Sequence, residues 1–252
     1  MHRSYRFILG LALAAAPVVA AAQPANITAA VVSTARTADN VKLDESRKPT
    51  EVLRFFGLRR GMQVLDLFGA NKYWSEIIAP AIGPSGHVTV WEPTQFYKGD
   101  APKEFDAFAA RQKNVSLISS PFEAPNLPRN KFDFAMLNLN YHDTYWQSEK
   151  YGIPRMDPSA FLKTLNAAMK RGGIVGVIDH VANPNKDTRA MVEAEHRIDP
   201  EVVKRDFRRA GFALVGTSNL LRNPKDEHNL LVFDPHIRGK TDRFIFKFRK
   251  VR

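Results

Sequence analysis

Val64-Leu65-Asp66-Leu67-Phe68-Gly69-Ala70-Asn71-Lys72 runs directly into Tyr73-Trp74-Ser75-Glu76-Ile77-Ile78-Ala79. An apolar run closing on an acid, a short turn with one glycine, and a renewed apolar stretch read as a buried strand, a tight turn and a helix. In an open α/β sheet such a turn faces the crevice beyond the strand ends. There the turn amides and the positive end of the helix meet a ligand.

Working outward, the same alternation recurs. Upstream, Val52, Leu53, Phe55, Phe56 and Leu58 make an apolar stripe on a helix that starts at Asp44 and is stopped by Gly57 or Gly61. Downstream, the helix after Lys72 ends near Ala81, before the breaker Gly83-Pro84-Ser85-Gly86. Strands are expected at His87–Trp91, ending in Glu92-Pro93, at Val115–Ile118 and at Phe132–Leu137, with a helix over 102–111. Asp157-Pro158-Ser159 and Asp199-Pro200-Glu201 each offer an acidic N-cap followed by proline, the start of a helix. The first runs to Lys170 and is closed by Arg171-Gly172-Gly173; the second ends at Ala210-Gly211. Between them Ile174–Ile178 is a fifth strand running into Asp179-His180, and Phe212–Thr217 and Arg243–Phe248 are the last two. Five alternating units predict a parallel sheet with helices on both faces. The polar connection 218–241 carries no helix-like pattern, so the final two strands should form an antiparallel pair at one edge.

The amino terminus bears on the compartment. Met1–Arg6 carries two arginines and no acid, Phe7–Ala22 is almost wholly apolar, and Ala20-Ala21-Ala22 precedes Gln23. That layout describes a secretory signal peptide over 1–22, cut after Ala22, since the apolar run is shorter than the roughly 20 residues of a membrane span. A periplasmic or secreted protein is expected, with no membrane span after cleavage. Residues 23–43 read as a flexible lead-in and 44–252 as one domain. The chain has no cysteine, which excludes disulfides, thiolate metal sites and cysteine nucleophiles. Removing residues 1–22 takes away Arg3 and Arg6 and no acid, so the formal charge falls from +11 to +9. The basic residues are scattered without interleaved aromatics, and no nucleic-acid partner is expected. No Gly-x-Ser-x-Gly elbow supports serine hydrolase chemistry.

This order of elements is similar to the class I S-adenosylmethionine-dependent methyltransferase fold, a Rossmann-like, seven-stranded, mostly parallel sheet with a final antiparallel pair. More narrowly, several phrases resemble a bacterial family of exported "predicted methyltransferases". They are Arg47-Lys48-Pro49 leading into Val52-Leu53-Arg54-Phe55-Phe56-Gly57, Asn140-Tyr141-His142-Asp143, Ile178-Asp179-His180, His196-Arg197-Ile198-Asp199-Pro200, and Phe233-Asp234-Pro235-His236-Ile237-Arg238-Gly239-Lys240-Thr241-Asp242-Arg243. The resemblance implies S-adenosylmethionine as cofactor and a small-molecule or exported methyl acceptor. It places Asp66, Phe68, Gly69 and Ala70 at the first cofactor turn, Glu92 on the ribose hydroxyls, and Ser120 and Asn138 after the third and fourth strands. Glu92 follows Asp66 by 26 residues, against about 20 in dinucleotide folds. The turn departs from the pattern. Ala70-Asn71-Lys72 stands where such proteins have further glycines, and Lys72 would either meet the cofactor's carboxylate or point to solvent.

The candidate chemistry lies at the carboxyl ends of the fourth and fifth strands. His180 or His142 can take a proton from a hydroxyl or amine, with Asp179 or Asp143 orienting the ring and Tyr141 and Trp146 packing on the acceptor. The same imidazoles and carboxylates also suit a divalent ion, but no short ligand motif appears and no metal ligand is assigned. The competing expectation is a non-catalytic ligand- or partner-binding protein on a methyltransferase-like scaffold, favoured by the missing glycines.

Overall fold

The computed structural model describes residues 23–184 and 187–251; the expected signal peptide lies outside the described residues. In chain order the elements are α1 (Ile27–Val31), α2 (Ala38–Val41), α3 (Asp44–Arg47), α4 (Pro49–Phe56), β1 (Gln63–Leu67), α5 (Ser75–Ile82), β2 (His87–Pro93), α6 (Ala101–Arg111), β3 (Val115–Ser120) and β4 (Phe132–Asn138). A 3-10 turn at His142–Tyr145 follows, then α7 (Pro158–Ala168), β5 (Met169–His180), α8 (Thr188–Glu195), α9 (Pro200–Arg209), β6 (Phe212–Ser218) and β7 (Arg243–Lys250). The strands form one sheet in the order β3-β2-β1-β4-β5-β7-β6. All pairings from β3 to β5 are parallel, and β7 runs antiparallel to both β5 and β6.

The pleat explains the two cores. Leu65 and Leu67 of β1, Ala135 and Leu137 of β4, and Val175 and Val177 of β5 face α7 and α9 through Phe161, Leu162, Leu165, Val203 and Phe207. Their alternates Val64, Phe134, Met136 and Ile178 face α4, α5 and α6 through Leu53, Phe56, Ile77, Ile78, Phe105 and Phe108. Strands buried on both faces read as continuous apolar runs, as β1 and β4 do. Gly176 has a packing reason: a Cβ there would lie 2.6 Å from the Phe56 ring, so α4 rests directly on β5.

Four local differences from the sequence reading have physical causes. The helix expected from Asp44 is two pieces, because Lys48 takes a left-handed conformation (φ 46°) immediately before Pro49. Residues 23–43, read as a loose lead-in, carry α1 and α2; Ile27 and Ala30 are buried against α4 and α5, and Arg36 pairs with Asp44 at 2.6 Å. The helix read to Lys170 ends at Ala168 and passes straight into β5, whose register against β4 shifts between Phe132 and Phe134. Finally, α8 was not legible: its eight residues bury only Val192, too little for an apolar stripe. Asp157 and Asp199 do cap their helices, accepting from Ser159 N–H at 2.9 Å and Glu201 N–H at 2.8 Å. Among the described residues no helix is long and apolar enough to cross a membrane.

Candidate functional site

A cavity of about 730 Å³ opens where β1, β2, β4 and β5 end. Its floor is Phe68, Asn71 and Glu92 from the first two strand ends, with Leu139 and Asn140 after β4. His142, Asp143 and Trp146 line one side and His180 the end of β5. Glu193, Ala194 and His196 from α8 and its C-cap, together with Leu231, Val232 and Phe233 from the β6–β7 connection, complete the wall. Open α/β sheets take ligands at this position, between β1 and β4 where the strand order reverses.

The first turn is built around one close approach. Gly69 lies so near Asp66 that a Cβ would sit 2.6 Å from its Cγ, so this position has no room for a side chain. Asp66 itself is buried, and its carboxylate accepts from Ser75 Oγ at 2.6 Å, tying the strand end to the start of α5. Burial pushes its pKa up to about 7 against the opposing pull of Ser75 and Arg47. Phe68 turns through φ 56°, donates its N–H to Trp91 O at 2.8 Å, and sets its ring edge-on to Trp91 and Phe122. Ala70 presents its N–H to Glu92 Oε2 at 2.9 Å. Glu92 is 8% exposed, and burial lifts its carboxyl to about 7 although the Ala70 bond favours the charge. Lys72 does neither thing expected of it. It turns away from the cavity and pairs with Glu104 of α6 at 2.6 Å.

Two histidines at the opposite wall are held in contrasting states. His142 sits with Nδ1 2.7 Å from Asp179 Oδ1 and Nε2 3.4 Å from Asp143 Oδ1, and its own N–H donates to Asp179 Oδ2 at 2.9 Å. Burial works against its charge, but the two carboxylates outweigh that and raise it to about 9. The His180 N–H donates to Asp179 Oδ1 at 2.8 Å, but its ring meets no carboxylate among the described residues. Its Nδ1 lies 2.7 Å from Thr241 Oγ1, and burial together with the neighbouring His142 and Arg243 charges pushes it well below the usual histidine value, leaving it neutral. His196 completes the cluster from the C-cap of α8 at φ 50°, its ring 5.5 Å from that of His142 and flanked by Trp146 and Phe233. Asp143 is oriented by Asn140 Nδ2, which donates to Oδ2 at 3.0 Å.

Several expected site residues lie elsewhere. Tyr141 is fully buried, its hydroxyl donates to Asp206 of α9 at 3.0 Å, and it does not line the cavity. Ser120 accepts from Trp91 Nε1 at 2.8 Å and Asn126 N–H at 3.0 Å, which uses its hydroxyl inside the sheet edge. Gly69, Ala70, Asp66, Asn138 and Asp179 shape or brace the cavity without lining it, whereas Phe68, Glu92, His142, Asp143 and His180 do line it. The residues missed in the sequence are those of α8 and the β6–β7 connection. That connection is fastened by Arg197, fully buried, which pairs with Asp226 at 2.8 and 3.1 Å and donates from Nε to Leu230 O at 2.9 Å. A second knot joins Asp242 to Arg222 at 2.7 Å and to His228 at 2.9 Å.

No protein-family profile matches the chain. No curated protein matches its sequence either. Solved structures do. An S-adenosylmethionine-dependent methyltransferase from Aquifex aeolicus aligns over 85% of this chain and 100% of its own, with a TM-score of 0.58 and 18% identity. One from Mesorhizobium loti aligns over 82% and 100%, with a TM-score of 0.58 and 14% identity. The [4+2]-cyclase SpnF aligns over 93% and 88%, with a TM-score of 0.58 and 13% identity, so the same architecture also carries a protein named for a different reaction. Strand order, the antiparallel β7 and these neighbours together give the chain a class I S-adenosylmethionine-dependent methyltransferase fold.

Proposed function

We propose that the protein is an S-adenosylmethionine-dependent methyltransferase of the periplasm or the exterior, acting on a small molecule or an exported acceptor. The observation that carries this reading is Glu92. A buried carboxylate closes β2 at the cavity floor, one oxygen braced by the Ala70 N–H and the side chain still lining open space. Carboxylates so placed accept from the vicinal hydroxyls of a ribose. Phe68, Phe96 and Leu139 supply apolar surface for a flat base, and the cavity is within the size range of small-molecule sites.

When bound, the cofactor supplies an electrophilic methyl group on a sulfonium. The chain's own part is positioning and proton removal. Neutral His180 faces the cavity and takes the proton of the acceptor's hydroxyl or amine as the methyl bond forms, with Thr241 fixing its ring. His142, charged between Asp179 and Asp143, is unsuited to that task and instead holds the wall in place. Trp146 and Phe233 narrow the acceptor end.

A second reading, a ligand binder that has lost transfer, is favoured by Phe68 and Asn71, which line the cavity at the turn where methyltransferases of this fold carry glycines. Titration calorimetry of the purified protein with S-adenosylmethionine and S-adenosylhomocysteine separates the two. Micromolar binding of either supports the enzyme; no heat at high protein concentration removes it and leaves the binder.

A further inference from the structure

The wall opposite Glu92 gathers more ligating chemistry than proton removal needs. His142, Asp143 and His196 each offer one ligand atom, and these three atoms lie within 4.8 Å of one another at the cavity surface. They come from two separate pieces of chain, the 3-10 turn after β4 and the C-cap of α8. Two of them are aimed by a partner behind them. Asp179 holds His142 through Nδ1 at 2.7 Å, which leaves Nε2 toward the cluster, where a bound ion would take the place of the proton that His142 carries in the metal-free protein. Asn140 holds Asp143 through Oδ2 at 3.0 Å, which leaves Oδ1 3.4 Å from His142 Nε2 and 3.8 Å from His196 Nδ1. A carboxylate behind the distal nitrogen of an imidazole is the arrangement that fixes metal-binding histidines. His196 adopts φ 50°, a conformation unusual for a residue with a Cβ, and that backbone turn delivers its ring to the other two.

We propose that His142, Asp143 and His196 form a binding site for one divalent transition-metal ion, with at least one coordination position open to the cavity. Two imidazoles and a carboxylate match zinc, cobalt(II) or iron(II) in softness and number, and they do not match magnesium or calcium, which take all-oxygen shells. An open position on the acceptor side of the cavity would take an oxygen or nitrogen donor of the substrate. The acceptor class that follows, a part of the inference that rests on the methyltransferase reading, is a molecule with an anionic or readily ionised donor. The site is built from the chain's own residues, and it stands or falls independently of whether the Glu92 end holds S-adenosylmethionine.

The test uses the full protein, stripped with a chelator and titrated with cobalt(II) and zinc without any other ligand. One equivalent of cobalt should bind with visible d–d absorption and be displaced by zinc. Asp179→Asn, which touches only the bracing carboxylate, should weaken binding about 10- to 100-fold. His196→Asn tolerates the left-handed backbone and so keeps the turn, and it should weaken binding at least as much. His236→Ala removes an exposed histidine outside the cluster and should change nothing. Absence of stoichiometric binding, or affinities in the Asp179→Asn and His196→Asn proteins within threefold of wild type, would overturn the proposal. Near-UV circular dichroism of both variants shows whether a loss belongs to the site or to unfolding. Should Asp179→Asn unfold, His196→Asn, on the less buried residue, decides alone.

Discussion

Glu92→Gln should move stability and affinity in opposite directions. The Glu92 carboxyl titrates near 7 in the folded protein against about 4.5 when unfolded, because burial disfavours its charge. A raised acid contributes stability that is fully present below the unfolded pKa and is lost as pH rises through the folded one. Keeping Glu92 ionised above pH 7 therefore costs roughly 3 kcal/mol relative to the neutral form. The glutamine variant escapes that cost but accepts the Ala70 N–H with a neutral oxygen, giving up about 1 kcal/mol of the charge-assisted bond. A net gain of about 1–2 kcal/mol at pH 8.5 should raise Tm by roughly 2–8 °C, and the gain should vanish at pH 4. Binding responds the other way. Ribose hydroxyls lose a charged acceptor, about 2–3 kcal/mol in all, so S-adenosylhomocysteine should bind roughly 30- to 150-fold more weakly. Thermal scans at pH 4 and 8.5 with calorimetric titration at 8.5 read both effects. A variant less stable than wild type at pH 8.5, with unaltered affinity, would refute both the buried charge and the ribose contact.

Three further outcomes follow from the same geometry. Lys72→Ala should leave S-adenosylhomocysteine affinity within about twofold in a calorimetric titration, because the amine is engaged with Glu104 outside the cavity and exposed ion pairs contribute under about 1 kcal/mol. Asp226→Asn strands the fully buried Arg197 guanidinium and should destabilise the fold by about 3–5 kcal/mol in urea unfolding. Tyr141→Phe should lower stability by about 1 kcal/mol, the value of its bond to Asp206, while leaving ligand titrations unchanged; a large change in affinity would return Tyr141 to the site.

The sheet and its order were readable because local signals agree: strands such as β1 and β4 are apolar runs, and helices begin at Asp157-Pro158 and Asp199-Pro200. The crevice was readable for the same reason, since Glu92 and His180 close their strands, His142 comes shortly after β4, and all three line the cavity. What was not readable is side-chain direction where the backbone leaves regular geometry. Tyr141 and His142 are adjacent, yet one faces Asp206 under α9 and the other the cavity, a division set by the 3-10 turn. Lys72 was ambiguous because its partner, Glu104, is 32 residues away on another element. The outer wall was invisible for a further reason. Leu231 to Phe233 sit in a connection without regular structure, placed by Arg197 from a distant segment, and no periodicity in either stretch announces that contact.

The Arg197 clamp also bears on how a ligand comes and goes. A loop that closes over a site usually does so through weak, solvent-exposed contacts that open on the microsecond to millisecond scale. Here the stretch around Leu230 is anchored by a fully buried guanidinium on Asp226 and on two backbone carbonyls, so swinging it aside means exposing a paired charge. The β6–β7 connection is accordingly a fixed wall. The most exposed large side chains at the rim are Phe233 (54% exposed), against the His196 ring, and Tyr151 (50% exposed), against Trp146, and neither carries a buried charge. A ligand of this cavity would thereby meet a standing aperture, and the time it spends bound would be set by contacts inside the cavity rather than by the opening of a lid.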